Sequence, residues 1–526
     1  MSEQHQIDRL KASEGWLKGM HPGMSLAAKG MILSVVVFTV YNVEFANGIY
    51  TALKDFIITT LNWYYISIVT VVLFFVIWLM FSKFGSLRLG KDDEKPEFSN
   101  FAWFSMLFSA GLGLSILYWG VAEPILHIQG NPFLDANGIE PLTAEAAVVA
   151  MRITVFHGGI HGWSLYVLVG LTLGYFSYRR GLPLAFRSVL YPMIGDRIYG
   201  GYGHAVDLIA VFGTVFGLAT SLGLGMASIN AGFDTLFGIG FNTTNQLLLI
   251  AAISVLGTVS AVSGVGRGVK ILSEINIWLS AVFLAVILFG GATSYILSLW
   301  ISGIGDYIAT VIPMGLWLDS DPERDWQSWW TIFYWGWWIA WCPFVGLFVA
   351  RISRGRTIRE FVIGVLLAPT MLLMFWFCVL GGQAMYAELY GAGGLVEVVN
   401  QDYSLGLFKA IESLDWRWAV FPLSVLTTFL LISWFITSSD SGTLVVCTIL
   451  SLGDSHPPKF FRIFWGLGVG LVAAVLMLAG GLDALQTAVI AAGLPVSFIL
   501  IAMMVGLVKS LNQEVTDEGE NTVQQT

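Results

Sequence analysis

The chain has 526 residues, of which 56% are hydrophobic and 12% charged, and its formal net charge is −9. An ordinary soluble domain is roughly 25% charged, and a soluble protein of this length could not bury so much apolar surface. The composition therefore excludes soluble, disordered and disulfide-stapled classes. It indicates a polytopic membrane protein, in which the 58 glycines and 21 tryptophans suit closely packed helices with aromatic belts.

A bilayer core requires about 20 mostly apolar residues per helix. Twelve stretches meet this requirement and are predicted to span the membrane: 27–49, 55–83, 99–120, 146–178, 205–238, 245–263, 271–300, 327–350, 359–388, 417–449, 461–481 and 484–508. The segment 301–326 is less apolar and is predicted to form an interfacial helix and loop. The polar residues 1–25 contain no secretory signal pattern.

The basic residues are distributed unequally between the two sides of these spans. With the N-terminus inside, 21 of the 26 Lys and Arg residues face the cytoplasm, only Lys54, Arg324, Lys409 and Arg417 lie outside, and Arg152 falls within a span. The positive-inside rule then places both termini in the cytoplasm. No GxxxxGK[ST] sequence occurs, so no P-loop couples ATP hydrolysis. Twelve spans with short loops favour a secondary transporter, and a channel is the lesser alternative.

The third span is rich in small residues between Ser109 and Ser115, with Gly111 and Gly113 among them. Glycine weakens a helix and lets another body approach the backbone. The run is predicted to unwind where secondary transporters bind solute and ion, and the alternative is a helix-packing face.

The fourth span places His157 and His161 at i and i+4, followed by Trp163 and Tyr166 at i and i+3. The two histidines could bind a metal if a third ligand approached. Hydrogen bonding between helices is the better interpretation, because HxxxH alone is a weak signal.

The eighth span contains seven tryptophans between Trp326 and Trp341, far more than an interfacial belt requires. Trp337 and Trp341 share one helix face, and Pro343 is expected to kink the helix just beyond them. An aromatic cage binds quaternary ammonium groups by cation–π attraction. Packing against lipid or protein explains several of the seven tryptophans.

The tenth span carries five hydroxyl groups and the carboxylate of Asp440 between Ser433 and Ser441. Such groups are costly in hydrocarbon and must face protein, ion or water. Hydroxyl and carbonyl oxygens can together bind a hard cation. The alternative is hydrogen bonding of Ser and Thr back to the preceding helical turn.

In this order, the motifs resemble the betaine/choline/carnitine transporter family over about residues 25–509. The eighth span and the loop after it, from Trp329 to Phe361, correspond to the family's signature region. The glycine-rich third span, FHxxxHxW in the fourth, SGVGRG at 263–268 and FITSSDS in the tenth agree with it.

The resemblance implies an all-α, twelve-helix fold of the leucine-transporter type, in which two inverted five-helix repeats follow two peripheral helices. The expected divisions are a cytoplasmic segment 1–25, peripheral helices 26–98, a first repeat 99–300, an interfacial helix and loop 301–326, a second repeat 327–509 and a short acidic cytoplasmic tail 510–526.

The resemblance also implies a substrate site between the third, fourth and eighth spans. The family's aromatic box maps onto Trp163, Tyr166, Trp337, Trp338 and Trp341. Backbone at Gly111, Gly113 and Ser115 would contact the other end of the substrate. Gly158 stands where the family has a further tryptophan, so one wall of the box is expected to be missing.

In sodium-coupled relatives one cation lies between the third and tenth spans. Here this implies ligands from Ser109, Leu112, Trp434, Thr437 and Ser438. A second sodium would use Thr214 and Phe344. Leu218 replaces the threonine expected one turn after Thr214, so the sequence does not decide whether a second sodium binds. The hydroxyl pair Thr437 and Ser438 favours sodium symport, because sodium-independent exchangers of the family lack it.

The sequence thus predicts a transporter, not an enzyme, that imports a betaine-type compatible solute by sodium symport with alternating access. Alternatives are a sodium-independent exchanger, a proton-coupled choline or carnitine transporter and, remotely, a membrane-embedded metalloenzyme using His157, His161 and Asp440. Glycine betaine, choline, carnitine, dimethylsulfoniopropionate and ectoine-like solutes all remain open.

A multi-pass position in the bacterial inner membrane, contact with lipid, a homotrimer and a role in osmoprotection are further expectations from the resemblance. Sodium is the only expected coupling ion; no other cofactor and no nucleic-acid partner are expected. Residues 510–526 contain no Lys or Arg, so no osmosensing by a basic tail is expected.

Overall fold

In the computed structural model, the described backbone covers residues 3–111, 115–263, 265–321, 323–454 and 456–525. The description leaves out the side chains of 3–6, 109–111, 115, 263, 265–271, 515 and 517–525. Within these ranges the chain is helical and forms no strand.

Nineteen α-helices occur in the described ranges. They are α1 Glu3–Leu10, α2 Pro22–Tyr41, α3 Val43–Phe81, α4 Asn100–Gly111, α5 Ser115–Ile128, α6 Pro132–Asn137, α7 Ala144–Gly158, α8 Ile160–Gly174, α9 Tyr191–Ile194, α10 Gly201–Phe237, α11 Thr243–Ser263, α12 Val265–Gly290, α13 Thr293–Gly315, α14 Phe333–Ile352, α15 Ile358–Tyr390, α16 Leu395–Gln401, α17 Gly406–Glu412, α18 Arg417–Leu450 and α19 Lys459–Gln525. Two π-helical turns, Tyr175–Arg179 and Ser328–Ile332, follow α8 and precede α14.

The helices confirm the all-α, multi-pass class. Ten helices in the described part of the chain are long and apolar enough to cross a membrane. One of them, α19, contains two helical segments that meet at a kink, where Gly480 and Gly481 leave helical geometry and Gly481 has φ 57°. The count of twelve spans stays a prediction.

The fourth span is broken, which the prediction of one continuous segment 146–178 missed. Its halves α7 and α8 meet at Gly159, whose backbone is extended at φ −90° and ψ −153°. The amide of Ile160 loses its helical partner there and donates to the Tyr307 hydroxyl at 2.9 Å. A tertiary contact from α13 therefore satisfies the break.

The seventh predicted span, 271–300, has the wrong C-terminal boundary. Helix α12 ends at Gly290, and the separate helix α13 already begins at Thr293. The amide of Ala292 between them donates to Gln383 Oε1 at 2.9 Å. The pair Gly290 and Gly291 and this contact interrupt the helix, although the hydropathy of the sequence is continuously apolar across the segment. The helix of the predicted interfacial segment thus begins before residue 301 and ends at Gly315.

The Trp-rich helix α14 lies at the centre of the bundle. It packs against α8 on one side and against α10 and α19 on others, while α15 packs against α5, α7 and α8. The third, fourth, eighth and ninth predicted spans are thereby brought together around one cavity.

Candidate functional site

A mainly apolar cavity of about 50 Å³ lies between α5, α7, α8, α14 and α15. A single water requires roughly 10–15 Å³ measured in this way, so the cavity can accept something larger than one water. Ten residues line it: Ile116, Trp119, Gly158, Tyr166, Tyr334, Trp337, Trp338, Trp341, Leu373 and Phe377. None of these ten is charged.

The structure brings four of the five predicted box residues to this cavity. They are Tyr166 of α8 and Trp337, Trp338 and Trp341 of α14. Trp163 does not line the cavity but lies behind it, with its ring 5.9 Å from Trp338 and 5.4 Å from Tyr166. Its contribution is to support the rings that form the wall.

The break in the fourth span helps to orient one of these rings. The Trp338 indole donates from Nε1 to the carbonyl oxygen of His157 at 3.0 Å. That carbonyl lies in the last turn of α7, where backbone acceptors lack helical partners. The Trp338 ring also lies 4.9 Å from the Tyr166 ring, so contacts to both halves of the fourth span fix its position.

The wall expected to be missing at Gly158 is supplied by another helix. A Cβ atom placed on Gly158 would lie only 2.6 Å from Cε2 of Phe377 in α15. Both residues line the cavity. The prediction of an open wall is therefore wrong, because the Phe377 ring fills the space that the glycine leaves.

Sequence reasoning also missed Trp119, Tyr334, Ile116 and Leu373 as lining residues. Tyr334 belongs to the Trp-rich segment, and its local enrichment in aromatic residues could have indicated it. The other three lie in apolar stretches of ordinary composition. Only the packing of α5 and α15 against each other and against α7 identifies them.

A buried carboxylate lies directly behind the cavity wall. Tyr334 donates its hydroxyl hydrogen to Oε2 of Glu123, which is fully buried. The other oxygen, Oε1, lies 2.6 Å from Nδ1 of His157. This confirms that His157 bonds between helices, whereas His161 stacks on Trp335 at 5.7 Å.

The tenth span contributes a second group of polar atoms. Trp434, Thr437 and Ser438 of α18 are buried. The Thr437 hydroxyl donates to the carbonyl of Trp434 at 2.8 Å, and Ser438 Oγ has no hydrogen-bond partner among the described residues. A buried hydroxyl oxygen without a partner suits a hard cation, whose ligands are oxygens. Asp440 instead accepts a hydrogen bond from Ser260 at 2.9 Å.

The third-span part of the expected sites lies outside the described residues. Leu112 and Gly113 fall in the backbone gap, and the side chains of Ser109, Gly111 and Ser115 are likewise not described. The broken-helix prediction at this segment and its contacts with solute or sodium therefore stay predictions.

The residues of the doubtful second sodium site include both a hydroxyl group and apolar side chains. Thr214 is buried, and its hydroxyl donates to the carbonyl of Ala210 at 2.8 Å within α10. One turn further on, the side chain of Leu218 packs closely against Gly442. Phe344 of α14 is fully buried. Leu218 offers no oxygen ligand at the position where a second threonine was expected.

Comparison with known proteins agrees with this architecture. Residues 24–516 match the family described as BCCT, betaine/carnitine/choline family transporter. The chain is similar to a probable glycine betaine transporter of Desulfitobacterium hafniense, with 41% identity over 87% of this chain and 90% of that protein.

Two further relatives are similar over most of the chain. A glycine betaine transporter of Acinetobacter baylyi is 42% identical over 88% of this chain and 69% of its own length. A high-affinity choline transport protein of Escherichia coli is 39% identical over 94% of this chain and 72% of its own length. These are transporters and not enzymes. The chain belongs to the betaine/carnitine/choline transporter family.

Proposed function

We propose that the protein imports a betaine-type compatible solute, a quaternary ammonium compound or related zwitterion, by sodium symport. The observation that carries the proposal is the uncharged aromatic cavity between α8 and α14, which is lined by Tyr166, Trp337, Trp338 and Trp341. The names of the relatives, as glycine betaine and choline transporters, support the same substrate class.

The chemistry of the wall suits a methylated ammonium group. Such a cation cannot donate hydrogen bonds, so ring faces bind it better than hydrogen-bond acceptors do. Each good cation–π contact contributes about 0.5–2 kcal/mol. Phe377 closes the wall at Gly158, and Tyr334, whose hydroxyl bonds to Glu123, adds a further aromatic ring to the lining. We therefore expect the cavity to select the cationic head of the solute.

Sodium coupling is supported by the hydroxyl groups of α18. Ser438 Oγ is buried without a hydrogen-bond partner among the described residues, Thr437 directly precedes it, and Trp434 lies one turn earlier in α18. In the proposal, Thr437, Ser438 and the Trp434 carbonyl bind the ion together with Ser109 and Leu112 of the third span. The inward sodium gradient would then drive uptake, with each charge contributing about 2.3 kcal/mol per 100 mV. The second site at Thr214 and Phe344 is not included, because Leu218 supplies no ligand.

The proposal includes twelve spans arranged as two inverted five-helix repeats. The ten apolar helices do not include the fourth span, which is divided into α7 and α8, or the third span, of which α4 and α5 are described on either side of residues 112–114; α19 contains two segments. Alternating access would move one repeat against the other around a largely fixed site. A homotrimer in the bacterial inner membrane, with cytoplasmic termini and a role in osmoprotection, completes the proposal.

Transport in proteoliposomes tests the substrate and the coupling together. We expect purified protein to accumulate labelled glycine betaine under an inward sodium gradient but not under a potassium gradient. Unlabelled choline, carnitine, dimethylsulfoniopropionate and ectoine, added as competitors, rank the solutes. Equal uptake without sodium would favour the exchanger, and uptake driven by a proton gradient would favour the proton-coupled alternative.

A further inference from the structure

A second site is formed by three buried side chains that lie beside the aromatic cavity. Glu123 and His127 occupy successive turns of α5, and His157 comes from the last turn of α7. All three side chains are fully buried. One ligand atom from each, two imidazole nitrogens and one carboxylate oxygen, lies within 4.8 Å of the other two.

The distances within this group suit a single small cation. Glu123 Oε1 lies 2.6 Å from His157 Nδ1 and 3.4 Å from His127 Nε2. Zinc binds imidazole nitrogen at about 2.0–2.1 Å and carboxylate oxygen at about 2.0–2.2 Å, so three ligands of one ion lie roughly 3–3.5 Å apart. Small side-chain rotations would bring the three atoms around one ion.

The outer contacts of the group also suit metal ligands. Ligating histidines usually hydrogen-bond through their second ring nitrogen, and ligating carboxylates are similarly held. Here His157 Nε2 lies 3.1 Å from the Thr331 hydroxyl, and Glu123 Oε2 accepts from the Tyr334 hydroxyl. These contacts leave His157 Nδ1 facing Glu123 Oε1, and the same oxygen lies near His127 Nε2.

The third ligand supplies an independent observation. Neither ring nitrogen of His127 has a hydrogen-bond partner among the described residues, although the side chain is fully buried. Its ring lies against the indoles of Trp326 and Trp330, at 5.4 and 4.3 Å. Its Nε2 atom makes only the 3.4 Å contact with Glu123 Oε1, which is long for a hydrogen bond, and a metal ion between the two groups would satisfy that nitrogen.

We propose that Glu123, His127 and His157 bind one divalent transition-metal ion, for which zinc is the best match. Two nitrogen ligands and one oxygen ligand form a common zinc set that leaves a fourth position open. The ion would take the place of the proton shared by Glu123 and His157. Because His157 precedes Gly158 and Tyr334 lines the cavity, the ion would connect α5, α7 and α14 beside the substrate site.

The site differs from the HxxxH pair that the sequence indicated. His161 lies one turn beyond His157 on the other side of the helix break and is absent from the group. It is also buried, and its ring nitrogens have no hydrogen-bond partner in the described structure. His161 is therefore a matched control: a buried histidine close in sequence that should not affect metal binding.

The experiment measures metal binding by the full chain, purified in detergent through an affinity tag without histidine. We expect equilibrium dialysis against buffered Zn²⁺, followed by elemental analysis, to give one zinc per chain. His127→Gln should weaken binding roughly 10-fold or more, and His161→Gln should leave it unchanged. Co²⁺ bound to the unmodified protein should show the visible absorption of a four- or five-coordinate site, and His127→Gln should abolish it.

Two results would overturn the proposal: no binding of micromolar Zn²⁺ by the unmodified chain, or equal binding by His127→Gln. Because the His127 side chain makes only the 3.4 Å polar contact with Glu123 among the described residues, this substitution is the least disruptive, and size-exclusion chromatography checks its folding. If it fails to fold, Thr331→Val provides the test, since it releases the second nitrogen of His157 and should also weaken binding. Metal binding does not depend on transport, so its failure and that of the proposed symport are distinguishable.

Discussion

The Phe377 ring occupies the space that a side chain at Gly158 would need. A Cβ atom on Gly158 would lie 2.6 Å from Cε2 of Phe377, and both residues line the same cavity. The aromatic wall that the family resemblance placed on the fourth span is here built from α15. An aromatic side chain at position 158 should therefore be tolerated only when Phe377 is replaced by a small residue.

Phe377→Ala should weaken binding of trimethylammonium solutes and admit bulkier ones. Loss of one cation–π contact of about 0.5–2 kcal/mol corresponds to a roughly 2- to 30-fold rise in Kd. Gly158→Trp alone should reduce uptake, because the indole would collide with Phe377. The double variant should recover binding, since the indole enters the vacated space. Equilibrium binding of labelled glycine betaine measures all three, and a double variant no better than Gly158→Trp would contradict the exchange.

Trp338→Ala should abolish uptake while expression and membrane insertion stay normal. The indole lines the cavity, lies 4.9 Å from the Tyr166 ring and is oriented by the His157 carbonyl. Trp278→Ala is the matched control, because that indole is 68% exposed on the outer surface of α12. Uptake of a labelled betaine in membrane vesicles measures the effect. Unchanged uptake kinetics in Trp338→Ala would show that the aromatic cavity does not bind the substrate as proposed.

Combined substitution of Thr437→Ala and Ser438→Ala should raise the sodium concentration required for half-maximal uptake. The variant removes two oxygens of the proposed cation site, one of which has no other described partner. Thr427→Ala on the same helix is the control, since its buried hydroxyl bonds to the Leu423 carbonyl at 2.7 Å. Uptake at varied sodium concentration distinguishes them. The same sodium dependence in the double variant and the unmodified chain would point to protons or exchange.

The stability of the protein should fall in mild acid because of His21, which precedes α2. Burial first, then His204 and the Arg187 cation, lower the pKa of His21 from 6.5 to about 4. Between these two values the unfolded chain binds more protons than the folded chain, so stability increases with pH across that window. The His21 contribution is complete above about pH 6.5 and is lost as the pH falls toward about 4.

His21→Asn should flatten this pH dependence. The His21 side chain accepts a hydrogen bond from the Met24 amide at the start of α2, and an asparagine side chain can accept the same bond. Thermal unfolding in detergent from about pH 4 to about pH 7.5 provides the measurement. The exposed His456→Asn is the control and should retain the slope of the unmodified chain. A slope unaffected by His21→Asn would assign the acid sensitivity elsewhere.

The sequence by itself determined the class of the protein and much of its binding chemistry. Apolar length identifies membrane-spanning helices, because hydrocarbon accepts only segments whose backbone bonds are satisfied internally. Helical spacing places Trp337 and Trp341 on one face, and both line the cavity. The motifs also identified the family that the comparisons confirm.

Only the tertiary structure decided which helices complete the site. Spacing along one helix cannot show that Phe377 faces Gly158, that Trp163 lies behind the wall, or that α13 caps the break after Gly159. Nor can it show that His157 pairs with Glu123, 34 residues away in the chain, rather than with the much nearer His161. These relationships depend on how separate helices pack. Periodicity within one helix identifies which of its residues share a face, but it does not identify the residues of other helices that contact that face.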